Sequence, residues 1–116
     1  KTGGWFMVVD KGDNPLNFVD PSGTAMFVYS IQRGVELGLL KAKEYTPVAY
    51  RGYQSLFPFI QVNDRGLLDV IGACDGVVIK KNFVEYVTVP KILNAKEAVA
   101  GILWAAVIME TGQLKK

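Results

Sequence analysis

Asn94-Ala95-Lys96-Glu97-Ala98-Val99-Ala100-Gly101-Ile102-Leu103-Trp104-Ala105-Ala106-Val107-Ile108-Met109-Glu110 is the stretch whose reading decides the fold. Asn94 is suited to cap a helix, and Glu97 stands three residues later. At that spacing a capping box satisfies two otherwise orphaned backbone N–H groups. The pattern predicts a helix over Ala95–Glu110, with Ala98, Ile102, Ala105, Ala106 and Met109 among its packing residues. Apolar residues surround it almost completely, so it must be covered from more than one side. Trp104, in the middle of the run, reads as core. Ala98–Met109 is interrupted by Gly101 and falls well short of the ~20 residues that span a bilayer, so it reads as a buried helix rather than a membrane segment.

Two more helices are expected upstream. Asp20 can accept a free backbone N–H as an N-cap, and Pro21 fits the first helical position with its φ already set. This helix is expected to run to about Leu39, with Gly38 marking its end. Thr46 and Pro47 repeat the cap-and-proline signal and predict a helix to about Phe57, with Val48, Tyr53, Leu56 and Phe57 packing inward. Pro58 ends or kinks it. Ile60-Gln61-Val62 and Leu67-Leu68-Asp69-Val70 flank Asn63-Asp64-Arg65-Gly66, a hairpin signal. Trp5–Val9 is rich in strand formers and is followed by the turn cluster Asp10–Pro15 and a short return at Leu16–Val19. Phe83–Val87 also reads as β-rich. The expected fold class is mainly α, with short β-hairpins between helices.

Composition excludes several chemistries. The chain has one cysteine, Cys74, and no histidine among its 116 residues. An internal disulfide, a Ser-His-Asp or Cys-His site and nearly every zinc site are therefore ruled out within it. Any catalysis must be carboxylate chemistry, and no metal or cofactor is expected. Net charge is +2, with Lys and Arg interspersed among Asp and Glu, which predicts no nucleic-acid partner. Lys1-Thr2-Gly3-Gly4 leads directly into a strand-like segment without a Met, so the chain is expected to be part of a longer one or a processed product. One unpaired cysteine fits a cytoplasmic or a periplasmic location equally.

Gly3-Gly4-Trp5-Phe6-Met7-Val8-Val9-Asp10 and Asp20-Pro21-Ser22-Gly23-Thr24-Ala25-Met26-Phe27 together resemble motifs of glycoside hydrolase family 105, the unsaturated rhamnogalacturonyl hydrolases related to family 88. Arg51-Gly52-Tyr53 is similar to a Lys-Gly-Tyr in the family's next helix, and Asn94–Ala106 resembles its closing helix. The likeness runs from Gly3 to about Glu110, departing at Pro21, where the family usually has Thr, and over 75–81, where it has a glycine-rich loop. It implies that residues 1–116 form a single unit, the C-terminal portion of an (α/α)6 barrel of alternating inner and outer helices. It also implies release of a 4,5-unsaturated uronic acid from the non-reducing end of oligosaccharides made by polysaccharide lyases. In that family an aspartate protonates the vinyl-ether double bond and directs water onto C5, unlike the two-carboxylate scheme of most glycosidases. That aspartate lies upstream of the matched region, so no catalytic residue is expected here and the isolated chain is expected to be inactive.

Under this resemblance the substrate-binding candidates are Trp5, Asp20, Ser22 and Gly23. Trp5 could stack on a pyranose face or cover a core edge. Asp20 is either a plain N-cap or a residue of the sugar-binding mouth. Ser22 and Gly23 open the helix, whose N–H groups favour an anion such as a uronate. Glu97 reads as a capping partner, Cys74 as a small buried residue, and Arg51 and Lys96 as solvated. The expected partners are an oligosaccharide bearing an unsaturated uronic acid and the rest of the barrel, with self-association if the apolar final helix is left uncovered. The alternative reading is a non-catalytic helical module that binds carbohydrate or a partner.

Overall fold

The computed structural model describes residues 2–114, with side chains through Thr111. The chain is mainly helical. Three long helices, α1 (Pro21–Glu36), α2 (Ala42–Gln54) and α4 (Lys96–Leu114), are joined by a region holding β1 (Ile60–Val62), β2 (Leu68–Val70), β3 (Ala73–Cys74), the short α3 (Phe83–Val87) and β4 (Lys91–Ile92). β1 and β2 pair antiparallel with Ile60 opposite Val70, and β3 and β4 pair with Cys74 opposite Lys91.

α1 begins where its sequence dictates. Asp20 stays extended (φ −90°, ψ 113°), its carboxylate accepts the Ser22 and Gly23 N–H groups, and Pro21 takes the first helical position. The helix ends at Gly38, whose φ of +73° places it in the left-handed region a glycine enters freely. α2 starts a turn earlier than Thr46-Pro47 predicts, at Ala42. Ala42, Lys43 and Glu44 are good helix formers. Pro47, the sixth residue, leaves only the Lys43 carbonyl without its usual donor, in a turn whose side chains are exposed. Pro58 sits in a 3-10 turn, Phe57–Phe59, after the helix has ended.

Three further expectations are corrected. Phe83–Val87 is helix rather than strand, because Asn82 caps it through Glu85 N–H (3.0 Å) and the Glu85 carboxylate reaches back to Lys81 N–H (3.2 Å). Asn94 does not form the capping box. Its Oδ1 accepts Val70 N–H at 2.7 Å, its Nδ2 donates to Asp69 at 2.9 Å, and its backbone is left-handed at φ +54°. The strand-like Trp5–Val9 segment shrinks to one bridge, Phe6 to Val19, because the Asn17 side chain binds both backbone groups of Val8 in place of a ladder.

The core lies where the three long helices meet. Ala25, Val28, Ala49, Leu56, Ala98 and Ala105 have no exposed surface. Small residues let α1 and α4 approach closely, and a Cβ added at Gly101 would lie 3.2 Å from the Ala25 Cβ. Gly101 abuts Ala25, and Trp104 meets Tyr29 edge-on at 5.1 Å, so the two helices run in the same direction. α2 runs oppositely, because its C-terminal residues Gly52 and Ser55 lie beside Val28 and Gly4 near the start of α1. The described residues form a slab of 43 × 38 × 23 Å. Trp104 is not core here. It is 60% exposed, with Leu103 at 60% and Val107 at 63%, and nothing among the described residues covers that face of α4.

Candidate functional site

Because α1 and α4 run side by side in one direction, their N-termini open on the same end of the slab. Asp20 and Ser22 come from the first of these ends and Glu97 from the second. Between them lies a cavity of about 190 Å³ whose polar lining is Asp20, Ser22, Cys74 and Glu97, and whose apolar lining includes Met7, Met26 and Val77. Two larger hollows, of about 660 and 570 Å³, flank α4 instead and are walled mainly by aliphatic and aromatic side chains. The smaller one carries the chemistry.

Asp20 spends its carboxylate on its own helix. Oδ1 accepts from Ser22 N (3.2 Å) and Ser22 Oγ (2.9 Å), and Oδ2 from Gly23 N (3.1 Å) and Ser22 Oγ (3.1 Å). An ionised carboxylate offers roughly four acceptor positions, and these contacts fill them. The first two N–H groups of α1 and the Ser22 hydroxyl hydrogen are thereby consumed, and Thr24 N–H goes to the Asp20 carbonyl. The expectation that this helix start offers N–H groups to an anion is therefore corrected. Ser22 Oγ retains only lone pairs for a visitor.

Asp20 is set in place by Trp5 and Thr24. Asp20 N–H donates to the Trp5 carbonyl at 2.9 Å, and Trp5 N–H donates to the fully buried Thr24 hydroxyl at 2.9 Å. The Trp5 indole packs against Phe27 (centroids 5.2 Å, planes 57° apart) and over Gly52. The structure thus brings Asp20 and Ser22 to one cavity, leaves Gly23 as a backbone donor behind them, and puts the Trp5 ring on the edge of the core.

Cys74, in the buried β3, gives its thiol hydrogen to the Val89 carbonyl at 3.7 Å. Burial pushes its pKa up, and the negative charge of Asp20 adds to this against the opposing pull of Lys91. Lys91 is turned onto the Phe18 ring, 3.8 Å from its centroid. Glu97 is the residue that the sequence reading undervalued. With Asn94 drawn off to β2 it has no capping partner, and its Oε2 is buried without a hydrogen bond. Its placement was visible only through Gly101, one turn on, which packs against Ser22 and Ala25. Among the described residues no group of Cys, Asp and Glu side chains gathers as a metal-ligand set.

The arrangement suits recognition of a polyol: acceptor oxygens on one side, aliphatic and thioether surface on the other. Comparison with known proteins agrees in kind. The model of Glycosyl Hydrolase Family 88 matches residues 1–112. A solved glycoside hydrolase from family 105 of C. acetobutylicum ATCC 824 superposes with a TM-score of 0.83 at 27% identity, over 93% of this chain and 32% of that one. The present chain thus spans about a third of the length of that structure. Matched over almost all of its residues, and folded like part of a family 105 enzyme, the chain belongs to glycosyl hydrolase family 88.

Proposed function

We propose that this protein is a glycoside hydrolase that releases a 4,5-unsaturated uronic acid from oligosaccharides made by polysaccharide lyases, and that residues 1–116 supply one wall of its cleft. The observation that carries the reading is the family match over residues 1–112, joined to the shared end on which α1 and α4 present Asp20, Ser22 and Glu97. On this reading residues 1–116 are the C-terminal portion of an (α/α)6 barrel, with α1 and α4 as neighbouring inner helices and α2 as an outer one. Parallel neighbours with an antiparallel helix outside them are the repeat such a barrel needs, and this supports the assignment. The exposed apolar face at Leu103, Trp104 and Val107 is then the seam against the rest of the barrel.

Within this wall Ser22 contacts the sugar through its free lone pairs, while Asp20 and Gly23 hold it at a fixed angle. Trp5 acts from behind, by clamping the Asp20 backbone. The aspartate that protonates the substrate double bond lies in another part of the domain, so residues 1–116 alone are inactive. The test is to incubate the full-length gene product with an unsaturated rhamnogalacturonan disaccharide and follow loss of the ultraviolet absorbance of the double bond. Decay with the full-length protein, and none with residues 1–116, is the expected result. A full-length protein that leaves every lyase-derived oligosaccharide intact sinks the proposal.

A further inference from the structure

We propose that Glu97 is a specificity-determining residue: its carboxylate makes the cavity beside α1 a hydroxyl-accepting subsite that takes a neutral sugar unit and turns away a uronate or a sulfated one. The inference rests on the reading of this protein as a sugar-cleaving enzyme, and deepens it by naming the class of unit bound at this wall.

The first argument is an account of donors. Around the cavity, Ser22 N–H, Gly23 N–H and the Ser22 hydroxyl are given to Asp20, Thr24 N–H to the Asp20 carbonyl, and the Cys74 thiol to Val89. No Lys or Arg lines it. What remains for a ligand is acceptor capacity, at Ser22 Oγ and Glu97. Sugar hydroxyls can donate to both, whereas a carboxylate or sulfate brings only acceptors and a like charge. Placing two anions together in a partly desolvated space disfavours both.

The second argument is the contrast between the two carboxylates. Asp20 has its acceptor positions filled by its own helix, whereas no hydrogen bond reaches Glu97 among the described residues. Oε2 is buried without a partner, and Oε1 is the oxygen nearest Gly76, where an added Cβ would lie 3.9 Å from it. Leaving a half-buried carboxylate without donors is destabilising, and well-formed folds do it rarely. Glu97 is half-buried between the cavity and the apolar hollow beside Trp104. A hydroxyl entering the cavity supplies the donor it lacks. Met7, Met26 and Val77 give the C–H face of the same unit an apolar surface. The space, about 190 Å³, suits a single sugar unit rather than an extended chain.

The test uses the full-length protein and two oligosaccharides that share an unsaturated uronyl end and differ in the next unit, neutral in one and sulfated in the other. KM and kcat are measured for the native protein, Glu97→Gln and Glu97→Ala, with melting temperatures alongside. Loss of a hydrogen bond to a charged acceptor is expected to raise KM for the neutral substrate about ten- to a hundredfold, with kcat within about twofold. Preference for the neutral over the sulfated substrate is expected to shrink in both variants, because the repelling charge is gone. Unchanged KM in both variants overturns the inference. So does a fall in kcat at constant KM, or equal losses on both substrates that track a fall in melting temperature, which assigns Glu97 a structural role. Native protein that cleaves neither substrate would instead remove the enzymatic reading on which the inference rests.

Discussion

Gly52 and Gly34 both lie inside long helices, and replacing each by alanine should move stability in opposite directions. In a helix interior the change is intrinsically favourable by about 0.8–1 kcal/mol. At Gly52 the new methyl would lie 2.8 Å from Val28 Cγ2 and 2.9 Å from Trp5 Cζ3. Val28 is wholly buried and β-branched, so it has no alternative rotamer to adopt. Trp5 is clamped at its N–H by Thr24 and at its carbonyl by Asp20. Overpacking such a site costs about 1–3 kcal/mol, leaving Gly52→Ala less stable by up to about 2 kcal/mol. At Gly34 the methyl meets Leu40 Cδ1 at 2.9 Å, the far end of a flexible side chain only half-buried, so most of the intrinsic gain survives. The two variants should therefore differ by roughly 1–3 kcal/mol. Urea unfolding of the full-length protein, followed by far-ultraviolet circular dichroism and by tryptophan fluorescence, measures both the energies and any displacement of Trp5. Gly52→Ala matching or exceeding the native stability would refute the claim that α2 and α1 meet around an unyielding Val28–Trp5 contact.

Three other outcomes follow from single contacts. Tyr53 donates to Glu110 Oε1 at 2.8 Å, and burial, that hydrogen bond and the Glu110 charge push its pKa up to about 12 from 10.0. The folded state therefore holds this proton more tightly than the unfolded chain. Its contribution is complete below pH 10 and is lost as pH rises from 10 towards 12. Tyr53→Phe should lose about 1 kcal/mol at neutral pH and show a shallower alkaline decline, and an identical decline in stepwise-pH urea titrations would exclude this account. Asn94→Ala forfeits the acceptor for Val70 N–H and puts a β-carbon-bearing residue without polar compensation at φ +54°. It should cost about 2–4 kcal/mol, with Asn94→Gly recovering only the backbone share, and equal melting temperatures for the two variants would contradict that division. Cys74, buried and with its thiol pKa raised, should react with an aromatic disulfide reagent at least about tenfold more slowly than in the urea-unfolded chain, and comparable rates would show it to be accessible.

Features governed by neighbouring residues were legible in the sequence, and those governed by distant partners were not. The start of α1 was readable because Asp20, Ser22 and Gly23 complete its cap within four residues. Gly38 and the Gly66 hairpin were readable for the same reason, since a positive φ is a local demand. Asn94 and Glu97 had the right spacing for a cap, but Val70 and Asp69, more than twenty positions away, claimed Asn94 first. Strand formers at Phe83–Val87 yielded to an Asn82 cap three residues from Glu85. Trp104 read as core because an apolar helix shows how much covering it needs, not which element provides it. At the site, the sequence reached Asp20 and Ser22 through a family resemblance. It could not show that their donors were already used, because that depends on the orientation of one carboxylate. Glu97 became visible only once α1 and α4 were known to run side by side.

The Thr24 hydroxyl sits between two strands of this logic. It accepts from Trp5 N–H, lies 3.5 Å from the Trp5 carbonyl, and has no exposed surface. The segment before α1, which has almost no regular hydrogen-bonded ladder of its own, is thereby fastened to the interior of a helix. In hydrogen exchange the Trp5 and Asp20 amides should behave as members of the α1 cooperative unit rather than as loop amides, opening only when that helix opens. The rim of the cavity is then as slow to rearrange as the scaffold beneath it, and substrates meet a preset surface instead of a gate.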